Sequence, residues 1–225
     1  MIPELSKEEL TDRIAKNVAA MMNDVQETYV VNLGIGIPSR ASNFITNSNV
    51  FLHAENGILG VGPLAEGDQV HPMLINAGRE PILETPGCFY MDSSFSFGLI
   101  RGGHVDVTVL GALEVDQEGN IANWIIPNGK QLGVGGAMDL VAGANKVIVA
   151  MGHTAKGKAK LIKKCTLPIT GVGEVDVVVT ELGIFSFESG RPVLTAIAPE
   201  ITVDEIRTVT ELEFDVPQKP ARMLA

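Results

Sequence analysis

The stretch Val50-Phe51-Leu52-His53-Ala54-Glu55-Asn56-Gly57-Ile58-Leu59-Gly60-Val61-Gly62 restricts what this chain can fold into more than any other. A short β-like apolar run over 50–52 delivers an acid and an amide into a turn rich in glycine, and apolar residues resume directly beyond it. A carboxylate carried to the end of a strand among apolar residues loses hydration. It must be paired, hydrogen-bonded, protonated or used as a reactive group. Asn56 is placed to orient the acid, and Gly57, Gly60 and Gly62 admit close approach of backbone or substrate. By residue type alone, Glu55 is either an ordinary turn acid with a solvated side chain or a group kept for chemistry.

Alternating helix and strand patterns frame that turn. Ser6 and Glu9 stand at capping-box spacing, and Leu10, Ile14, Val18, Met21 and Met22 follow at helical intervals, which predicts an amphipathic helix over about 7–23. Residues 29–33 read as a buried strand that ends in Gly34-Ile35-Gly36-Ile37-Pro38, with helix-like sequence from 38 to about 46. A strand, a glycine turn and a helix opening at proline expose free backbone N–H groups, a ready anion site. The loop matches only two glycines of a dinucleotide fingerprint, because no third glycine follows Gly36 at the required spacing.

Glycine and proline punctuate 63–87 so densely that loops over the site are expected there. Residues 93–100 suggest a short helix with Phe95 and Phe97 partly buried, 104–110 a strand, and 117–120 a hairpin turn into 121–126. Asn128-Gly129-Lys130-Gln131-Leu132-Gly133-Val134-Gly135-Gly136 leads into a helix over 137–143, again presenting N–H donors at a helix entrance or forming no more than a tight turn. Further strands are expected at 146–151, 161–168, 175–182, 184–187 and 193–197, then a short helix over 203–210 and a tail over 216–225. The pattern predicts one α/β domain over 1–225, with an open, mostly parallel, partly mixed sheet flanked by helices.

Composition excludes several functional classes. Hydrophobic residues make up 45% and charged residues 20%, which argues against disorder, and no apolar run approaches the roughly 20 residues of a spanning helix. A cytoplasmic protein without a membrane segment is expected. A net charge of −10 opposes nonspecific binding to nucleic acid or anionic lipid. Against that sign, 155–164 carries Lys156, Lys158, Lys160, Lys163 and Lys164, either a solvated strand face or a patch for a phosphorylated ligand. Cys88 and Cys165 are too few for a disulfide framework, and His53, His71, His104 and His153 lack close metal-ligand spacing.

Several of these motifs together resemble one family. Ala54-Glu55-Asn56-Gly57-Ile58-Leu59-Gly60 resembles the Ser-Glu-Asn-Gly-x-x-Gly signature of the family I coenzyme A transferases, with Ala54 where many members carry serine. Gly34 to Pro38 is similar to the family's Gly-x-Gly-x-Pro loop, Gly135-Gly136-Ala137-Met138-Asp139-Leu140 to its glycine pair, and His153-Thr154-Ala155-Lys156 to its His-Thr-x-Lys segment. The resemblance implies a fold like that of these transferases and of the related sugar-phosphate isomerases. It also implies the β subunit of a 3-oxoacid or acetate/butyrate coenzyme A transferase, with a separate α subunit in an α2β2-type assembly.

It assigns Glu55 as covalent nucleophile, Asn56 as its neighbour, and a backbone N–H of Gly136, or else Gly135, to the thioester oxygen. Gly34, Gly36, Ile37, Pro38, Gly135, Gly136 and Lys156 are expected to contact the coenzyme. Coenzyme A or acyl-CoA would be substrate, exchanged with short-chain carboxylic acids, and no permanently bound cofactor or metal is implied. Two rivals share the residues: an isomerase using Glu55 as general base with the lysines on phosphate, and a non-catalytic subunit that binds acyl-CoA.

Overall fold

The computed structural model describes residues 4–127, 129, 133–187 and 190–225. Its first helix, α1 (Lys7–Asn23), starts where the sequence dictates. Ser6 Oγ accepts the Glu9 N–H at 3.2 Å while Glu9 Oε2 accepts the Ser6 N–H at 2.8 Å, a reciprocal cap for donors the first turn leaves orphaned. Ile14, Ala15, Val18, Ala19 and Met22 recur on one face of the helix and are buried.

Strand β1 (Tyr29–Leu33) leads through α2 (Ile37–Arg40) to β2 (Val50–Ala54), which returns as β3 (Ile58–Leu64) and β4 (Ile82–Tyr90). Next come α3 (Ser93–Arg101), β5 (Val107–Leu110), the antiparallel pair β6 (Glu114–Asp116) and β7 (Ile121–Ala122), α4 (Ala137–Gly143) and β8 (Val147–Ala150). A hairpin of β9 (Thr154–Ala155) and β10 (Lys158–Ala159) and the short β11 (Leu161–Ile162) precede β12 (Val177–Val179). The chain continues as β13 (Gly183–Ser186), β14 (Val193–Ile197), α5 (Val203–Thr208) and β15 (Ala221–Arg222).

Ten strands form one sheet in the order β15-β14-β13-β12-β8-β5-β1-β2-β3-β4. From β12 to β2 every neighbour is parallel; β13 and β14 on one flank and β3 and β4 on the other are antiparallel. The sheet is therefore open, mostly parallel and partly mixed, as the sequence predicts. Every residue of β5, β8 and β12 is buried, which is what strands covered by helices on both faces require. α1 and α2 lie over the face that carries Leu33, Leu52 and Ala54. α3 lies over the other face, where His53 reaches Ser96, and α4 packs on α3 and β5. Among the described residues, no helix is long and apolar enough to cross a membrane.

The structure corrects three expectations, two of them at sheet edges. Where loops were expected through 63–87, β4 begins at Ile82 and pairs with β3. An edge strand tolerates Pro86 because one side of its ladder needs no N–H, and the pairing slips between Leu59 and Val61 and again between Val61 and Leu64, absorbing the glycines as irregularities. The expected tail over 216–225 joins the sheet instead. β15 pairs with β14, Met223 is buried, and the Leu224 N–H and carbonyl both bond the Asn17 carboxamide at 3.0 Å. Phe95, expected to be partly buried, is exposed, because the face of α3 turned to the sheet passes through Ser96, Phe97 and Ile100.

Candidate active site

The carboxyl ends of the parallel strands gather many of the residues singled out above, the usual place for a site in an open α/β sheet. β1 runs out into the loop Gly34 to Pro38, β2 into Glu55, and β8 into the segment from His153 to Lys156. Glu55 occupies a turn closed by the Gly57 N–H on the Ala54 carbonyl at 2.9 Å. Gly57 has φ +122°, and a Cβ built there would stand 2.1 Å from the Met91 carbonyl oxygen. Only glycine lets this turn pass the chain that leads into α3.

The Glu55 side chain is half-buried, and its Oε2 lies 3.5 Å from Nδ2 of Asn32. Asn32 is wholly buried in β1 and also donates to the His53 carbonyl at 3.1 Å. His53 Nε2 meets Ser96 Oγ at 2.9 Å, and burial pushes the imidazole pKa down to about 4, so the ring is neutral at pH 7. Gly136, the N-cap of α4, also stands against the acid. A Cβ at Gly136 would come 3.2 Å from Glu55 Cγ and 3.2 Å from Phe97 Cζ, so the absence of a side chain sets how close the helix start approaches the acid. The Gly136 N–H has no hydrogen-bond partner among the described residues.

Other expected residues lie elsewhere. Asn56, expected to orient Glu55, is exposed and donates its carboxamide to the Ile75 carbonyl at 2.9 Å, so it ties down the segment between β3 and β4 instead. Gly135 is exposed at φ +51°. Gly34 is held by its N–H on the Val109 carbonyl at 2.8 Å, and Gly36, at φ +89°, turns the chain into α2, whose first residues are Ile37 and Pro38. Gly34 and Gly36 line a cleft of about 530 Å³, together with Asp12, Arg40, Leu52 and Asn76. That cleft opens on the α1 side of β2, and Glu55 and Gly136 are not among its walls.

Lys156 sits at the exposed tip of the β9–β10 hairpin, where its φ of +51° and the +75° of Gly157 form a two-residue turn; it makes no ion pair with Glu55 among the described residues. Asn128, Lys130, Gln131 and Leu132 of the glycine-rich stretch lie outside the described residues. Among the described residues, no group of three or more His, Cys, Asp or Glu side chains is gathered so as to hold a metal ion.

Asn32 is the contact that the sequence reading missed. Its signal was a carboxamide inside the apolar run Tyr29-Val30-Val31-Asn32-Leu33, where burial without a partner would be unfavourable. The assembled group offers one carboxylate, one carboxamide donor beside it and one backbone N–H at a helix start that has no partner among the described residues. These are the parts of a nucleophile with an oxyanion donor.

A family model described as Coenzyme A transferase matches residues 15–208. The beta subunit of acetate CoA-transferase from Escherichia coli (strain K12) is 46% identical over 206 residues, which cover 91% of this chain and 93% of that protein. A succinyl-CoA:3-ketoacid coenzyme A transferase subunit of Helicobacter pylori (strain ATCC 700392 / 26695) is 43% identical over 194 residues, covering 86% and 94%. The crystal structure of glutaconate coenzyme A-transferase from Acidaminococcus fermentans superposes with a TM-score of 0.71 over 96% of this chain and 88% of its own, at 19% identity, a likeness of fold.

Proposed function

The chain belongs to the coenzyme A transferase family, and on that premise we propose that it is a β subunit that moves coenzyme A between a short-chain acyl-CoA and a free carboxylate, with Glu55 as the covalent carrier. Acetyl-, butyryl- and 3-oxoacyl-CoA are the proposed donors, since relatives are named for acetate and for 3-ketoacids. The observation that carries this reading is that the Glu55 side chain meets both the Asn32 carboxamide and the start of α4, so close to Gly136 that a Cβ there would have to displace a neighbour.

The chemistry follows from a carboxylate in that position. Glu55 attacks the thioester carbonyl, the carbon–sulfur bond breaks, and coenzyme A leaves as thiolate from an acyl-glutamyl anhydride. The thiolate then attacks the Glu55 carbonyl of the anhydride, which releases the first acid as carboxylate and leaves a glutamyl-CoA thioester. An incoming carboxylate runs both steps in reverse, a ping-pong cycle. Each tetrahedral state carries an oxyanion, for which the Gly136 N–H is the proposed donor, an interaction that typically contributes about 3 kcal/mol. Lys156 and Lys158, both exposed on the hairpin, are proposed to meet phosphates of the coenzyme, with the Gly34 to Pro38 loop against its body.

A reactive anhydride must be kept from water, and in the isolated chain Glu55 is only half-buried. Phe89, Tyr90, Phe95 and Met138 are exposed on the elements that border the acid. This apolar rim suits coverage by an α subunit, and such a partner is implied by relatives that are themselves named as single subunits of a transferase.

The test is covalent. The wild-type chain, assembled with its α subunit and given acetoacetyl-CoA, should yield coenzyme A bound to Glu55, removable by borohydride reduction. Glu55→Gln should yield none and no transfer. A general base in an isomerase, or a subunit that only binds acyl-CoA, leaves Glu55 unmodified in the wild type, and that result would overturn the reading.

A further inference from the structure

We propose that Asn32 is the positioning residue for Glu55, its side-chain amide holding one carboxylate oxygen so that the other is presented to the acyl carbon. The inference rests on the reading of Glu55 as nucleophile. In the sheet, Asn32 pairs in register with His53 on β2 and with Thr108 on β5, so three polar side chains form a row across one face of the sheet. Asn32 and Thr108 are 0% exposed and His53 is 2% exposed. A valine or leucine in β1 would fill the same space without burying polar atoms. Asn32 also leaves its Oδ1 without a hydrogen bond among the described residues, an unfavourable term that packing alone does not explain.

The carboxamide is therefore held through its amino group, and both hydrogens of that group have assignments. One is directed to the His53 carbonyl at 3.1 Å. The other faces two acceptors, His53 Nδ1 at 3.4 Å and Glu55 Oε2 at 3.5 Å. In the neutral tautomer that carries its proton on Nε2, 2.9 Å from Ser96 Oγ, the ring keeps a lone pair on Nδ1, so Nδ1 can accept.

This arrangement matches the demands of a carrier that alternates between charged and acylated forms. While Glu55 is a carboxylate, the stronger acceptor takes the shared N–H, because bonds to ionised groups are the stronger ones. Once Glu55 is an anhydride or a thioester its charge is gone, and the same N–H turns to His53 Nδ1 without being left unpaired. Asn32 then releases the acylated side chain and recaptures it as an anion at the end of each half-cycle. The effect falls on the bond-making steps and leaves coenzyme A binding untouched.

The test uses the chain assembled with its α subunit. Asn32→Leu removes the donor at similar volume, and kcat together with the rate of Glu55 thioester formation should fall by the same factor, about 10- to 100-fold, while KM for acyl-CoA stays within about twofold. A scaffold role would instead raise KM and lower the melting temperature along with kcat. Asn32→Ala, which removes the donor without adding bulk or charge, should match Asn32→Leu in kcat and serves as the second variant if the leucine protein fails to fold. If the wild type forms the Glu55 adduct and both variants keep kcat within about threefold, the positioning role is refuted and the nucleophile stands. If the wild type forms no adduct, the nucleophile reading falls and takes this inference with it.

Discussion

Replacing Gly136 by alanine separates the demands of the fold from those of the site. The backbone there has φ −86° and ψ 4°, a negative-φ conformation that non-glycine residues also adopt, so the added methyl meets no left-handed strain. Gly-to-Ala loses a mild preference for glycine at an N-cap and regains a similar amount from the unfolded chain's entropy, each about 0.5–1 kcal/mol, so the terms nearly cancel. The methyl, however, lands 3.2 Å from Glu55 Cγ and 3.2 Å from Phe97 Cζ, against an ordinary carbon–carbon separation of about 3.5–4.0 Å. One of the two must retreat by about half an ångström. Phe97 is packed against the core, whereas Glu55 is a half-exposed side chain that turns more easily, so the acid moves.

A misplacement of about 1 Å costs on the order of 100-fold in rate, so half of that, on a logarithmic scale, predicts a fall in kcat of about 10-fold or more. The melting temperature of the assembled enzyme should shift by no more than about 4 °C. Steady-state transfer assays and a thermal melt on the same preparation read both quantities. Full activity at an unchanged melting temperature would show that the reacting atoms are not at this contact. A melting temperature lower by tens of degrees would show that Gly136 serves the fold instead.

Three other perturbations follow from the coordinates. Gly57→Ala forces a Cβ to within 2.1 Å of the Met91 carbonyl at φ +122°, and should destabilise the chain by about 2–4 kcal/mol in chemical denaturation; an unchanged midpoint would contradict the turn geometry. His53 and His153 are both pushed by burial to a pKa of about 4, from an ordinary 6.5, with Lys160 adding to the effect on His153. Between those values the unfolded chain binds more protons than the folded one. Stability present above pH 6.5 is therefore lost as pH falls towards 4, by up to about 3 kcal/mol for each ring, and a flat denaturation profile from pH 7 to 4.5 would refute the burial argument. Lys156→Gln should raise KM for acyl-CoA about 5- to 10-fold at low salt with kcat retained, and the difference should shrink as salt is added; no salt-sensitive change would remove Lys156 from the coenzyme contact.

Local chemistry accounts for the parts that were legible beforehand. The helix over Lys7–Asn23 follows from Ser6, Glu9 and an apolar spacing, all within a few residues of one another. The strands around Val31 and Val149 follow from apolar runs, and the turn at Glu55 from its glycines. β4 and β15 were not legible, because each gains its identity from the neighbour that it pairs with, and neither Pro86 nor the short Ala221–Arg222 segment carries a strand pattern of its own. Asn56 pointed to the acid by adjacency alone, and the Ile75 carbonyl claimed it.

The residues around Glu55 are enough to say which side chain carries the charge and that it stands at the end of a strand. Which groups surround that charge is a tertiary matter. Asn32 reaches Glu55 because β1 and β2 pair in parallel with Asn32 opposite His53, and Gly136 reaches it because α4 packs on α3 beside the same strand ends. Contacts between residues far apart in the chain are made by sheet register and helix packing, which depend on the whole buried surface and leave no mark in the few residues on either side of the acid.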